Sequence, residues 1–279
     1  MKDYINFPNI NPILISFNFF SIHWYGLMYF FGFIFALWYS NKTNYKKQWG
    51  KEKINDFLFN TFFSLVIGGR IGYILFYNLN FFIHNPIHIF KIWEGGMSFH
   101  GGLIGVIINT VLFSKKNNFN FFKISDFLAQ LTPFGLILGR IGNFINGELW
   151  GKITLNQKFG MIFPQSKYLD FIIIQNNPKL LPIFEKYGSL PRHPSQLYEM
   201  FFEGFVLFII LNFLIPKKVL IGTKSSLFLI GYGFFRFLIE FFREPDFQLG
   251  LFLGLSMGQI LSIPMIISGL FIYIKLKFR

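Results

Sequence analysis

The sequence predicts an all-α polytopic membrane protein with seven transmembrane helices, the N-terminus outside and the C-terminus inside. Two observations carry this. The chain of 279 residues is 53% hydrophobic and only 14% charged, with a mean hydropathy of +0.46, more apolar surface than a soluble domain of this size can bury. Its apolar residues also fall into runs of about 20, the length that crosses a bilayer as a helix. The runs lie at 17–40, 57–78, 96–114, 124–145, 197–215, 226–242 and 256–276.

The formal net charge of +13 fixes the expected orientation. Lys42, Lys46, Lys47, Lys51 and Lys53 separate the first two spans. Lys115, Lys116 and Lys123 separate the third and fourth, and Lys217, Lys218 and Lys224 the fifth and sixth. Lys275, Lys277 and Arg279 end the chain. The N-terminus and the short loops opposite hold only Lys2, Lys91 and Arg243. Short basic loops stay cytoplasmic, so these groups mark the inner side. The long connection at 152–192 carries six further cations, which weigh less because long loops cross the membrane regardless of charge. The basic balance is thus a topology signal, and nucleic acid is not an expected partner.

Residues 1–279 read as one membrane bundle. Residues 150–194, rich in Pro, Gly and polar side chains, form an outer, periplasmic cap of short strands and turns between spans four and five. The first sixteen residues lack the basic n-region of a cleavable signal. Cysteine is absent, which excludes disulfides, thiolate metal sites and a cysteine nucleophile. The 43 phenylalanines are expected to be mainly lipid-facing filler.

Function is legible in polar groups placed where they are expensive. The run GRIGNFINGELWG at 139–151 sets Arg140, Asn143, Asn146 and Glu148 at the outer end of span four. On a helix the first three stand three residues apart and share one stripe, and Gly147 is a helix stop. A charge at membrane depth costs about 3 kcal/mol on insertion scales, so such groups face a protein interior or a polar cavity. His100 in GGMSFHGGLIG, His193 in LPRHPSQLYE, Tyr25 in HWYGLMY, and Tyr232 with Arg236 in span six all fall toward the same outer leaflet. Arg70 and the Glu240 and Arg243 pair are read equally well as bundle-holding ion pairs.

Guanidinium groups bind phosphate bidentately and stay charged at any relevant pH, so two arginines beneath the outer surface point to a phospholipid headgroup. No HExxH, no carboxylate pair at metal spacing and no serine elbow is present, so neither a metal nor a cofactor is expected. Group transfer to an acceptor bringing its own nucleophile remains. A transporter for anionic lipids and a structural scaffold stay open as alternatives; the first should show polar access on both sides.

The strings HWYGLMY, GGRIGY, GGMSFHGGLIG, GRIGNFINGELWG, LPRHPSQLYE and FLIEFFREPD closely resemble the bacterial phosphatidylglycerol-prolipoprotein diacylglyceryl transferases, over about 7–264. The match is looser at 152–190 and in the C-terminal tail. The resemblance implies an enzyme of the bacterial inner membrane, active toward the periplasmic leaflet. It moves diacylglyceryl from phosphatidylglycerol to the lipobox cysteine of a prolipoprotein signal peptide and releases glycerol 1-phosphate. It implies His100 as base with Tyr232 as partner or alternative, Arg140 and Arg236 on the phosphate, and Asn143, Asn146 and Glu148 on the glycerol hydroxyls. Tyr25 and His193 match further substrate-site positions.

Overall fold

The computed structural model describes residues 3–17, 20–43, 45–77, 79–91, 96–216, 218–245 and 251–278. Lys2, Lys217 and Arg279, three of the charges used to orient the chain, lie outside them. The protein is mostly helical, and a long helix overlaps each of the seven expected runs: α1 (Trp24–Lys42), α2 (Lys51–Tyr77), α3 (Phe99–Asn117), α4 (Phe121–Ile145), α5 (Ser195–Leu214), α6 (Thr223–Ile239) and α7 (Met257–Lys277). Among the described residues, α2, α4, α5 and α7 are long and apolar enough to cross a membrane. With 17 residues, α6 is shorter than a perpendicular crossing of a 30 Å hydrocarbon core needs, which is about 20 residues.

Two boundaries differ from expectation. The first apolar run does not begin as helix. Ile13–Phe17 and Phe20–His23 pair as an antiparallel hairpin, and α1 starts at Trp24. Alternating Ile13, Ile15 and Phe17 favour the pleated conformation over a helical start. The connection at 150–194 also holds more helix than its composition indicates, with the short helices Lys167–Asn176 and Leu181–Tyr187.

The chain divides into two compact units. One is Phe33–Leu128. In it α2 and α3 pack through a stripe of glycines. A Cβ built on Gly72 would stand 2.7 Å from Gly101 Cα, and one on Gly68 3.2 Å from Gly105 Cα, so a larger residue at either position would force the backbones apart. Asn109 adds an interhelical hydrogen bond to Thr61, at 2.9 Å. Close approach and polar contact replace the hydrophobic effect that lipid does not supply. Phe57 and Phe127 are fully buried beside Trp49 and Phe113, so the phenylalanines build core as well as lipid-facing surface. Arg70 is buried and structural. Its guanidinium donates to the carbonyls of His88, Ile89, Lys91 and Gly96 and lies 5.0 Å from the Phe82 ring.

The other unit comprises Met1–Gly32 and Ala129–Arg279. Part of it is a small sheet: Ile5–Asn6 runs parallel to Met161–Ile162, which pairs antiparallel with Pro191–Arg192. Phe7, Met161 and Phe163 form its core, with Phe144 of α4 packed against them. A buried network ties the sheet to the short helices. Arg192, fully buried, donates to Asp170 at 2.6 and 3.0 Å and to Glu244 at 2.9 Å, while Asp170 also accepts from Ser166 Oγ and Leu190 N. Every lone pair offered by Asp170 that these donors reach is used.

Replacing Asp170 by Asn should therefore leave Arg192 buried without its main counter-charge and cost about 3 kcal/mol. In detergent the midpoint of thermal unfolding should fall clearly below that of the parent chain; an unchanged midpoint would deny this pair its structural role.

Candidate functional site

The site grows from the end of α4. After Ile145 the chain closes as a Schellman turn: Gly147 N donates to Phe144 O, Glu148 N donates to Asn143 O, and Gly147 takes a positive φ of 63°. The positive φ is what calls for glycine; the end of the flexible Gln165 side chain fills the space where a Cβ would stand. The turn brings Glu148 back over the last helical turn. Its Oε1 accepts from Asn143 Nδ2 at 2.9 Å and from Asn146 Nδ2 at 3.1 Å, and Arg140 Nη1 donates to Asn143 Oδ1 at 3.3 Å. The polar stripe read from the sequence is one connected chain of hydrogen bonds. Asn146 Oδ1 is buried and accepts no hydrogen bond. The start of α5 holds the turn from outside, Ser195 Oγ donating to Leu149 O and Gln196 Nε2 to Glu148 O.

Three helices then meet on charge. Glu199 of α5, fully buried, ion-pairs through Oε2 with Arg140 Nε at 2.7 Å, a contact outside hydrogen-bond geometry. On Oε1 it receives Arg236 Nη1 at 2.5 Å and Arg243 Nη1 at 3.1 Å. One carboxylate thus joins α4, α5 and the end of α6. Arg236 Nη2 also pairs with Glu240 at 2.5 Å, and Glu240 Oε2 accepts from Ser256 Oγ, the N-cap of α7. Glu203 lies one turn below Glu199, in the wide π-helical turns Met200–Val206. Its oxygens stand 3.6 Å from Arg140 Nη2 and 3.7 Å from Arg236 Nη1, and neither takes part in a hydrogen bond.

Arg140 and Arg236 accordingly converge, as do Asn143, Asn146 and Glu148 with Arg140. Tyr25, second residue of α1, lays its ring against Gly142 of α4, where a Cβ would come within 2.7 Å of Tyr25 Cδ2, and its hydroxyl meets that of Tyr29 at 3.3 Å. Tyr232 stacks on Phe228 one turn before Arg236, at a centroid distance of 5.7 Å. His193 sits just before α5 with its Nδ1 3.1 Å from the Tyr198 hydroxyl and its backbone bonded to Gly151 and Lys152. Burial holds its imidazole below the usual histidine range, favouring the neutral ring. His100 belongs to the Phe33–Leu128 unit, exposed in the first turn of α3 behind the Ser98 N-cap and edge-on to Phe99.

The carboxylates Glu199 and Glu203 were not anticipated. They stand four residues apart in LYEMFFEGF, on one face of an apolar helix, a spacing that was available in the sequence. Glu240 and Arg243, read from the sequence as an ion pair that could hold the bundle together, lie 3.7 Å apart and also join the cluster through Arg236 and Glu199.

Comparison with known proteins decides the family. The model of the prolipoprotein diacylglyceryl transferases matches residues 12–275. This chain belongs to that family. The phosphatidylglycerol–prolipoprotein diacylglyceryl transferase of Proteus mirabilis is 56% identical over 271 residues, covering 96% of this chain and 92% of its own length. Those of Photorhabdus laumondii and Sodalis glossinidius are 53% and 54% identical, over 98% and 95% of this chain and 94% and 93% of theirs.

If Glu199 is the keystone, Glu199→Gln should destabilise the chain by about 3 kcal/mol or more, because three buried guanidiniums lose a shared counter-charge. Glu148→Gln, where the carboxylate accepts mostly from neutral amides, should cost about 1 kcal/mol. Equal falls in the unfolding midpoints of the two variants would contradict the assignment.

Proposed function

We propose that this chain transfers the diacylglyceryl group of phosphatidylglycerol to the lipobox cysteine thiol of a prolipoprotein, at the outer leaflet of a bacterial inner membrane that it crosses seven times. The family membership carries the reaction. The convergence of Arg140 and Arg236 on one buried carboxylate supports the place of the phosphate.

The reaction replaces a phosphodiester oxygen on an sp3 carbon by sulfur. A thiol with a free pKa near 8.5 must lose its proton, and the charge gathering on the leaving phosphate must meet preorganised donors. Arg140 and Arg236 are such donors, since their planar forks are fixed by Glu199 and Glu240 before the lipid arrives. Asn143, Asn146 and Glu148, beside Arg140, offer amide and carboxylate groups to the two hydroxyls of the glycerol head. The unbonded Asn146 Oδ1 is ready to accept one of them. His100 takes the thiol proton, with Tyr232 as its partner or substitute. Tyr25 and His193 complete the substrate site.

Purified chain incubated with phosphatidylglycerol and a lipobox peptide should add a diacylglyceryl mass to the peptide, and no mass gain would refute the activity. In the same assay, Arg140→Lys and Arg236→Lys should each lose about a hundredfold in rate, because a point ammonium cannot reproduce the guanidinium fork. Near-normal rates at equal protein levels would assign both arginines to packing alone.

His100→Gln should lose transfer but keep lipid binding, and its residual rate should climb with pH as the acceptor thiol ionises unaided. A flat profile would move the base elsewhere. Cysteines placed at Lys116 and Lys218 should label from one side of the membrane and cysteines at Asn85 and Lys167 from the other; mixed labelling within a pair would break the seven-span topology.

A further inference from the structure

The charged cluster is balanced by count: Arg140, Arg236 and Arg243 face Glu199, Glu203 and Glu240. A phosphodiester brings one more negative charge into it. Something must give, because a surplus anion in an apolar setting is costly. Five of the six groups are anchored by contacts of 3.1 Å or less. The exception is Glu203. It is fully buried, it makes no hydrogen bond with either oxygen, and it sits between the two guanidiniums assigned to the phosphate, 3.6 and 3.7 Å from their nearest nitrogens. A phosphate oxygen held by both arginines comes to rest against this carboxyl group. Two anions cannot share that place, whereas a carboxylic acid and a phosphate can, through an O–H donated to the phosphate oxygen.

Resting on the assignment of the phosphate to Arg140 and Arg236, we propose that Glu203 is the general acid of the transfer. It takes up a proton as phosphatidylglycerol binds and passes it to the leaving phosphate. The sulfur of the acceptor cysteine forms its bond to the glyceryl carbon as the carbon–oxygen bond breaks. The electron pair of that bond stays on the phosphate oxygen, which receives the Glu203 proton, while the thiol proton leaves through the base to solvent. Glycerol phosphate departs as a monoanion instead of a dianion, and the Glu203 carboxylate returns between the arginines, loosening the product. The other ionisable groups around Glu203 are Glu199 on its own helix, Arg140 on α4, and Tyr232, Arg236 and Arg243 on and after α6. The arginines stay charged throughout and Glu199 remains clamped by three of them, so the proton has one place to go.

The test is calorimetric titration of the detergent-solubilised full chain with short-chain phosphatidylglycerol in two buffers of different ionisation enthalpy. About one proton should be taken up per lipid bound, and Glu203→Gln should bind the lipid with almost no uptake. Its kcat should fall about a hundredfold while KM stays within about twofold, a split that mere structural damage does not produce.

Lipid binding by the parent chain without proton uptake would overturn the proposal, and that measurement needs no variant to fold. Unchanged kcat in a folded Glu203→Gln would overturn it too. Lipid binding that persists in Arg140→Gln and Arg236→Gln would instead refute the phosphate assignment beneath it.

Discussion

The structure of this site depends on a single carboxylate shared by three guanidiniums. In water such an arrangement would be worth little, because each group is already well solvated. Within apolar helices the comparison changes, since the alternative for every partner is an unpaired charge in hydrocarbon. Glu199 therefore fixes the azimuth of α4 through Arg140, of α6 through Arg236, and of the segment after α6 through Arg243. The polar chain of Asn143, Asn146 and Glu148 inherits its position from Arg140, and the N-cap of α7 is reached through Arg236 and Glu240. The rigid placing of the guanidinium forks follows from the demand that keeps the helices together.

Much of this was legible from the order of residues. The glycine at 147 announces its turn because a helix stop at positive φ favours glycine, and the three-residue spacing of Arg140, Asn143 and Asn146 needs only helical geometry. The positions of the apolar runs followed from length and hydropathy alone. Partnership was harder. Nothing local to Glu199 or Glu203 says that their face meets Arg140 and Arg236, because such pairings are long-range and periodicity within one helix does not encode them. The strand at Phe20–His23 lies within the expected first span and was read as helix because an apolar run alone does not distinguish a lipid-facing helix from a hairpin strand. The short helices Lys167–Asn176 and Leu181–Tyr187 were missed because each is too brief for its periodicity to stand out.

The two compact units solve the problem of cohesion in lipid by different means. In Phe33–Leu128 the helices α2 and α3 come together through missing side chains, and Arg70 gathers a loop by its carbonyls. In the other unit α6 and α7 also meet at glycines, Gly233 and Gly269, but charge joins α4, α5 and α6, and the small sheet is locked by the Arg192 and Asp170 pair. A glycine contact tolerates no added bulk. The clamped centre of the ion cluster, Glu199 with its three arginines, tolerates no lost charge.

The partition of charge among helices bears on how the chain enters a membrane. Taken singly, α4 carries Arg140 without a counter-charge of its own at that depth, and α5 carries two carboxylates with no cation. Each is poorly suited to lipid alone, at a cost of about 3 kcal/mol per charge. Some fifty residues of connecting chain separate their synthesis. During that interval α4 is an incomplete hydrophobic segment, best kept at the insertion machinery until α5 arrives to neutralise it. Membrane integration of this protein is then a cooperative event involving helix pairs, in which the later helix completes the earlier one.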